Sequence, residues 1–125
     1  MIDFQNGSVF KLKPIANSAG AELVGALLIR DEQVVMSFQA IRDTVVFTNK
    51  RIIAVNVQGL TGKKKDFTSL PYAKIQAFSV ETAGTFDLDS ELELWFSGLG
   101  KVKLEFIGNV DIKTICQFIG EFVLK

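Results

Sequence analysis

The chain has no histidine, one cysteine, two prolines, one tryptophan and one tyrosine among its 125 residues. Without histidine, the commonest general base and the commonest metal ligand are both missing. The lone cysteine, Cys116, excludes an internal disulfide and any multi-cysteine metal site. Neither sign of charge is in excess: 14 Lys and Arg balance 14 Asp and Glu. That balance argues against a basic nucleic-acid binder and against an acidic disordered tail. Long apolar runs are lacking too. The most apolar stretch, residues 19–29, contains Glu22, and a spanning helix needs about 20 predominantly apolar residues. The first residues show neither the basic region nor the apolar core of a secretory signal. The expected compartment is the cytoplasm, where an unpaired cysteine stays reduced.

What is present fits one folded domain: 48% of residues are hydrophobic and 22% charged. Eleven phenylalanines make the aromatic content greasy, suited to cores and interfaces. The order of patterns is a helical lead-in over residues 1–30, then a domain over residues 31–125 made of strands and one closing helix. Asn17 and Ser18 are candidate caps for a helix from Ala19, with Leu23, Ala26 and Leu27 on one face. From Gln33 the period becomes two. Val34, Met36 and Phe38 alternate with Val35, Ser37 and Gln39; residues 41–47 alternate again. Thr48-Asn49-Lys50 reads as a turn in which Asn tolerates positive φ. Residues 51–57 are a β-branched strand, residues 58–62 a glycine-bounded loop, residues 63–70 and 74–81 further strands, and residues 82–90 a loop.

The last hairpin is the best defined. Leu92, Leu94 and Phe96 face one way, as do Val102, Leu104 and Phe106 after the turn. Inward residues must meet inward residues. The charges then favour Glu93 opposite Lys103 and Trp95 opposite Lys101. Asn109 is a candidate cap for a final helix whose apolar face holds Ile112, Ile115, Cys116, Ile119 and Phe122. About seven short antiparallel strands followed by one helix place the chain in the α+β class.

Several segments, in order, resemble the bacterial pleckstrin-homology-like domain family. They are Arg42-Asp43, the run from Val46 through Thr48-Asn49-Lys50-Arg51 to Ile53, and Gln58-Gly59-Leu60-Thr61-Gly62-Lys63-Lys64. Pro71-Tyr72, Ile75, Phe78 through Gly84, Phe86 through Asp89, Glu91-Leu92 and Trp95 complete the set. The resemblance spans residues 32–124. It implies a pleckstrin-homology-like barrel of seven strands in two roughly orthogonal sheets, capped by the C-terminal helix. It also implies assembly into closed homo-oligomeric rings, with five subunits as the expected count. It assigns no biochemical activity and no cofactor.

Candidate sites are few. The glycines of Gly59-Leu60-Thr61-Gly62-Lys63 are too close for a phosphate loop and no helix follows, so they read as a tight connection. Arg42, Lys50, Arg51, Lys63, Lys64 and Lys65 are candidate contacts for an anionic lipid headgroup, although strand alternation turns Lys64 away from Lys63 and Lys65. Nucleic acid is not expected, because charge is balanced and no aromatic platform is evident. Asp87, Asp89, Glu91 and Glu93 suggest a divalent cation but lack the spacing of a calcium loop. Cys116 reads as a buried small hydrophobe. Nothing places Glu81 and Asp87 around a reaction centre, so no enzyme is expected.

Trp95 falls on the outer face of its strand. With Val45, Val46, Ile53, Val55 and Val57 it forms the candidate oligomer interface. The expected function is a non-enzymatic interaction or scaffold module that assembles with itself through sheet edges and the N-terminal helix, and that has a protein partner the sequence does not name. The alternative is a membrane-surface adaptor for anionic lipid.

Overall fold

A computed structural model describes residues 1–4, 9–86 and 88–125. Its contacts divide the chain into two compact units. One comprises Met1–Ile2 with Pro14–Pro71, the other Asp3–Lys13 with Tyr72–Lys125.

In the first unit, helix α1 (Asn17–Val24) continues as a single 3₁₀ turn, Gly25–Leu27. Neither Asn17 nor Ser18 caps it: the cap position is Ala16, with no side-chain bond. The Asn17 amide instead donates to the Val35 carbonyl, 2.9 Å away, and ties the helix to the next strand. Strands β2 (Val34–Gln39), β3 (Asp43–Thr48), β4 (Arg51–Gln58) and β5 (Lys64–Pro71) form an antiparallel meander. Strands β3 and β4 are buried on both faces, because β-branched and aromatic residues fill both sides of their pleat. Val46, Ile53 and Val55 form a small core with Val24, flanked by Leu23, Leu28 and Val34. Helix α1 meets β2 closely. A Cβ on Gly20 would lie 2.9 Å from the Ser37 Cβ and overlap its hydroxyl, so glycine is what allows the approach.

The second unit holds β1 (Val9–Pro14, bar its last residue), β6 (Ile75–Glu81), β7 (Ser90–Phe96), β8 (Gly100–Phe106) and helix α2 (Ile112–Val123). Strand β1 runs parallel to β8, pairing Val9 with Leu104 and Leu12 with Phe106. Residues 1–30 therefore carry a strand as well as a helix, and the described residues hold eight strands rather than seven. The register shifts between Val9 and Leu12, where Lys11 takes a φ of 57°. That bulge breaks the alternation by which the strand would have been recognised.

The β7–β8 register is the expected one, with Glu93 opposite Lys103 and Trp95 opposite Lys101. Leu92, Leu94, Val102, Leu104 and Phe106 are buried. Helix α2 is capped by Asp111, not Asn109. Its carboxylate accepts from the Lys113 and Thr114 amides at 3.1 and 3.4 Å and from the Thr114 hydroxyl at 2.9 Å. Ile112, Ile115 and Ile119 are its buried face. Phe118 and Phe122 pack with Tyr72, whose ring stacks on Phe122 at 4.8 Å.

Candidate functional site

The expected interface residues divide sharply. Val45, Val46, Ile53 and Val55 are 0–1% exposed in the single chain. Val46, Ile53 and Val55 pack against Val24 and cannot meet a second copy while α1 is seated, whereas Val45 is buried on the opposite face of β3. The outward apolar face of β3 and β4 is the docking site of the chain's own helix, which accounts for apolar residues beyond the needs of one core. Val57 and Trp95 stay half-buried. Trp95 stands between Ala77 of β6 and Lys101 of β8, among charged neighbours.

The basic residues divide as well. Along β4, Arg51 pairs with Pro71 at one end of the strand, and Val57 and Gln58 pair with Lys65 and Lys64 at the other. At ~3.3 Å per residue the two ends are roughly 20 Å apart, so Lys50 and Arg51 do not share a patch with the lysine run. Arg51 is committed within the fold. Its Nε and Nη2 donate to the two oxygens of Glu32 at 2.9 and 3.0 Å, and it also reaches the Leu27 carbonyl and the Ser69 hydroxyl.

Glu32 is completed by the Thr48 hydroxyl at 2.7 Å and the Ile29 amide at 3.0 Å. Burial alone would raise its pKa. Hydrogen bonds from Arg51, Thr48 and Ile29, with the Arg51 charge, outweigh burial and hold the carboxyl below its ordinary value. Asn49 adds two more ties, accepting from the Gln33 amide and donating to the Asp31 carbonyl, both at 2.8 Å. Positive φ falls on Asp31, at 62°, and not on Asn49. Thr48-Asn49-Lys50-Arg51 is therefore a clamp on the segment that follows α1. The sequence hid it because its acceptor, Glu32, lies 19 residues before Arg51.

At the other end of β4 the surface is open. Arg42 donates through Nη2 to the carbonyls of Val57 and Gly59, at 3.2 and 3.0 Å. This joins the corner between β2 and β3 to the turn between β4 and β5. Each carries a fully exposed large apolar residue: Ile41 on the corner, Leu60 on the turn. Gly59 and Gly62, with φ of 77° and 68°, make the turn that lifts Leu60 outward. Lys63, Lys64 and Lys65 follow directly, all exposed, and Phe67 is exposed further along β5.

The outer face of β6, β7 and β8 is acidic but neutralised. Lys103 reaches Glu91 at 3.3 Å and Lys101 reaches Glu93 at 3.9 Å, while Lys11 bridges Asp89 and Glu105. Burial first, and then the nearby Asp89 charge, raise the Glu105 carboxyl above its ordinary value. Asp87, expected in both the cation cluster and the Glu81 pair, lies outside the described residues. Among the described residues no three metal-ligating side chains gather at one point.

Cys116 is half-buried rather than buried. It lines a cleft of about 660 Å³ between β6 and α2, with Phe78, Val80, Gly120 and Leu124. The cleft's sequence signal was Gly120, a glycine inside an otherwise apolar helix. Among the described residues, no helix is long and apolar enough to cross a membrane.

Among the described residues, eight strands and a C-terminal helix packed on β6 and β7 define a pleckstrin-homology-like fold. The profile of the family described as Bacterial PH domain matches residues 3–123, and the chain belongs to that family. The uncharacterized Bacillus subtilis protein YjqA is 47% identical over 95 residues, which are 76% of each chain. A crystal structure of a protein with a pleckstrin-homology domain from Shewanella loihica is 39% identical. It superposes with a TM-score of 0.79 over 94% of this chain and 99% of its own. A pleckstrin-homology domain from Shewanella amazonensis is 38% identical with a TM-score of 0.68, covering 89% and 90%.

Proposed function

We propose that the chain is a non-catalytic, cytoplasmic interaction module whose copies associate with one another through the open end and strand edge of the first unit. The observation that carries this reading is the pair of fully exposed apolar residues, Ile41 and Leu60, on two turns that Arg42 ties together. Large apolar side chains held outward on a braced surface are a contact surface in want of a partner. Strand β5 extends it: β4 lies on one side, no strand lies on the other among the described residues, and Phe67 is exposed. Lys64 and Lys65 discourage indiscriminate strand pairing at that edge. Specificity then falls to the apolar tips and Phe67. A contact between this surface and a different surface of the next copy closes into a ring if the rotation closes. Five copies is the count that the family resemblance implies. Absolute molar mass by light scattering across a dilution series tests the reading: a single multiple of the 13.8 kDa chain is expected.

The three consecutive lysines beside Leu60 favour a second reading, an anionic lipid surface. Apolar tips enter the interface while lysines stay with the headgroups. Arg51 has no part in it, and Lys50 lies at the far end of β4. Co-sedimentation with phosphatidylserine vesicles at low and high salt separates the two readings. Binding that weakens with salt, and that is lost on changing Lys63, Lys64 and Lys65 to alanine, supports lipid; no co-sedimentation at low salt excludes it.

A further inference from the structure

We propose that the cavity between α1 and the outer face of β2 and β3 binds a free α-amino acid with an aliphatic side chain. The cavity lies wholly within the first unit and holds about 460 Å³. That is within the roughly 300–1,000 Å³ of small-molecule sites. Self-association has no bearing on it, since neither Ile41 nor Leu60 lines the cavity.

Its walls follow from how α1 meets the sheet. Ala19, Glu22 and Leu23 stand three and four positions apart and so share one helical face. Gly20 lets that helix settle against Ser37. The Ile15 amide donates to the Ser37 carbonyl at 3.0 Å, which pins the entry of α1 to β2. Gln39 and Thr44, directly opposite each other on β2 and β3, line the cavity from the sheet. Ile15, Ala19 and Leu23 supply the apolar wall.

The polar groups around it have no other use. Thr44 is 8% exposed, yet its hydroxyl has no hydrogen-bond partner among the described residues. A hydroxyl withdrawn from water without a partner is unfavourable. The cavity that Thr44 lines is where a partner can reach it. Glu22 and Lys65 lie on the same cavity with opposite charges, and neither is in an ion pair among the described residues. The Gln39 amide offers a donor and an acceptor beside them.

This combination selects the ligand. An ammonium for Glu22 and a carboxylate for Lys65 must come on one small molecule, with an apolar group for Ile15, Ala19 and Leu23. Charge-assisted hydrogen bonds then fix its orientation. A polypeptide terminus supplies only one of the two backbone charges. A phosphorylated sugar supplies no cation for Glu22. An aliphatic α-amino acid supplies all three groups.

The test is calorimetric titration of the full chain with leucine, isoleucine and valine. Saturable binding of at least one of them is expected. Its decarboxylated and deaminated counterparts (isoamylamine and isocaproate for leucine) each carry one charge, and glycine lacks the side chain. All should bind at least about tenfold more weakly. Glu22→Gln and Lys65→Gln should each weaken binding at least about tenfold, and Thr44→Val about fivefold. Ala19→Leu, at an exposed helical position, fills the cavity and should abolish binding. Circular dichroism with a thermal midpoint no lower than that of the wild type shows that these four variants are folded. Lys63→Ala, Lys64→Ala and Leu60→Glu should bind as the wild type does, which separates the site from the lysine run and from self-association. Phosphatidylserine vesicles present the same two charges without an aliphatic side chain and should not compete. The proposal is overturned if none of the three amino acids binds at millimolar concentration, or if a single-charge counterpart binds as well. Undiminished binding by any of the four folded variants, loss of binding in Leu60→Glu, or competition by the vesicles overturns it too.

Discussion

Gly20 and Gly120 each sit inside one of the two helices, and for opposite reasons. At Gly20, α1 lies so close to β2 that a methyl group has nowhere to go. At Gly120, α2 leaves a cleft that a methyl group would enter freely. The first helix closes a second small core and is clamped at its exit by Glu32 and Arg51. The second buries one face on its strands and leaves a flank open. The same residue type thus marks a finished contact in one unit and an unfinished surface in the other, and only the surroundings of the Cβ position tell them apart.

The clamp should give the largest effect. Glu32→Ala removes the acceptor of four donors and leaves Arg51 half-buried without its partner. A loss of about 3 kcal/mol is expected in urea unfolding. A loss below about 1 kcal/mol, the scale of a surface pair, would show that α1 is held without the clamp.

Gly20→Ala comes next, with a loss of about 1–3 kcal/mol from overpacking. Ser37→Gly in the same chain should recover part of it, since contacting sites couple in a double-mutant cycle. Gly120→Ala should move the other way, gaining about 0.5–1 kcal/mol from helix propensity. If both glycines respond with the same sign, the contrast between closed and open helices fails. Asp111→Ala, which removes the cap of α2, should cost about 1 kcal/mol.

The smallest effect is in the pH profile. Glu32 has a folded pKa below its ordinary value of 4.5. Its charged form is favoured in the fold, so its contribution is complete above that ordinary value and is lost as pH falls through the lowered one. Glu105 shifts the other way; protonation favours its folded state, so its contribution rises as pH falls through its raised pKa toward the ordinary value, above the window in which Glu32 acts. Glu32→Gln should flatten the acid limb below about pH 4.5 and leave neutral-pH behaviour parallel to the wild type.

Much of the fold was legible in the sequence, because period-two patterns and turn residues act locally. The β7–β8 register followed from facing Leu92, Leu94 and Phe96 against Val102, Leu104 and Phe106, with Glu93 and Lys103 as arbiter. Strand β1 was not legible: its bulge at Lys11 breaks the period, and its partner β8 lies some ninety residues later. Asp111 displaced Asn109 as cap because helix start signals are accurate only to a residue or two.

The surface was less legible. Val46 and Val55 belong to the candidate interface by their apolar character, but no local pattern shows that α1 covers their face. Arg51 was grouped with the lysines by its charge, while its role is set by Glu32, a partner no local pattern reveals. Leu60 passed as an ordinary loop residue, since only coordinates show that Arg42 ties its turn to Ile41.

The most direct measurement is light scattering on the wild-type chain and on Leu60→Glu, run in parallel over the same dilution series. Leu60 is fully exposed in the single chain, so the substitution should leave stability within about 0.5 kcal/mol. The account predicts a stable multiple of 13.8 kDa for the wild type and 13.8 kDa itself for the folded variant. A wild-type chain that is monomeric at every concentration, or a variant that assembles as the wild type does, would contradict it.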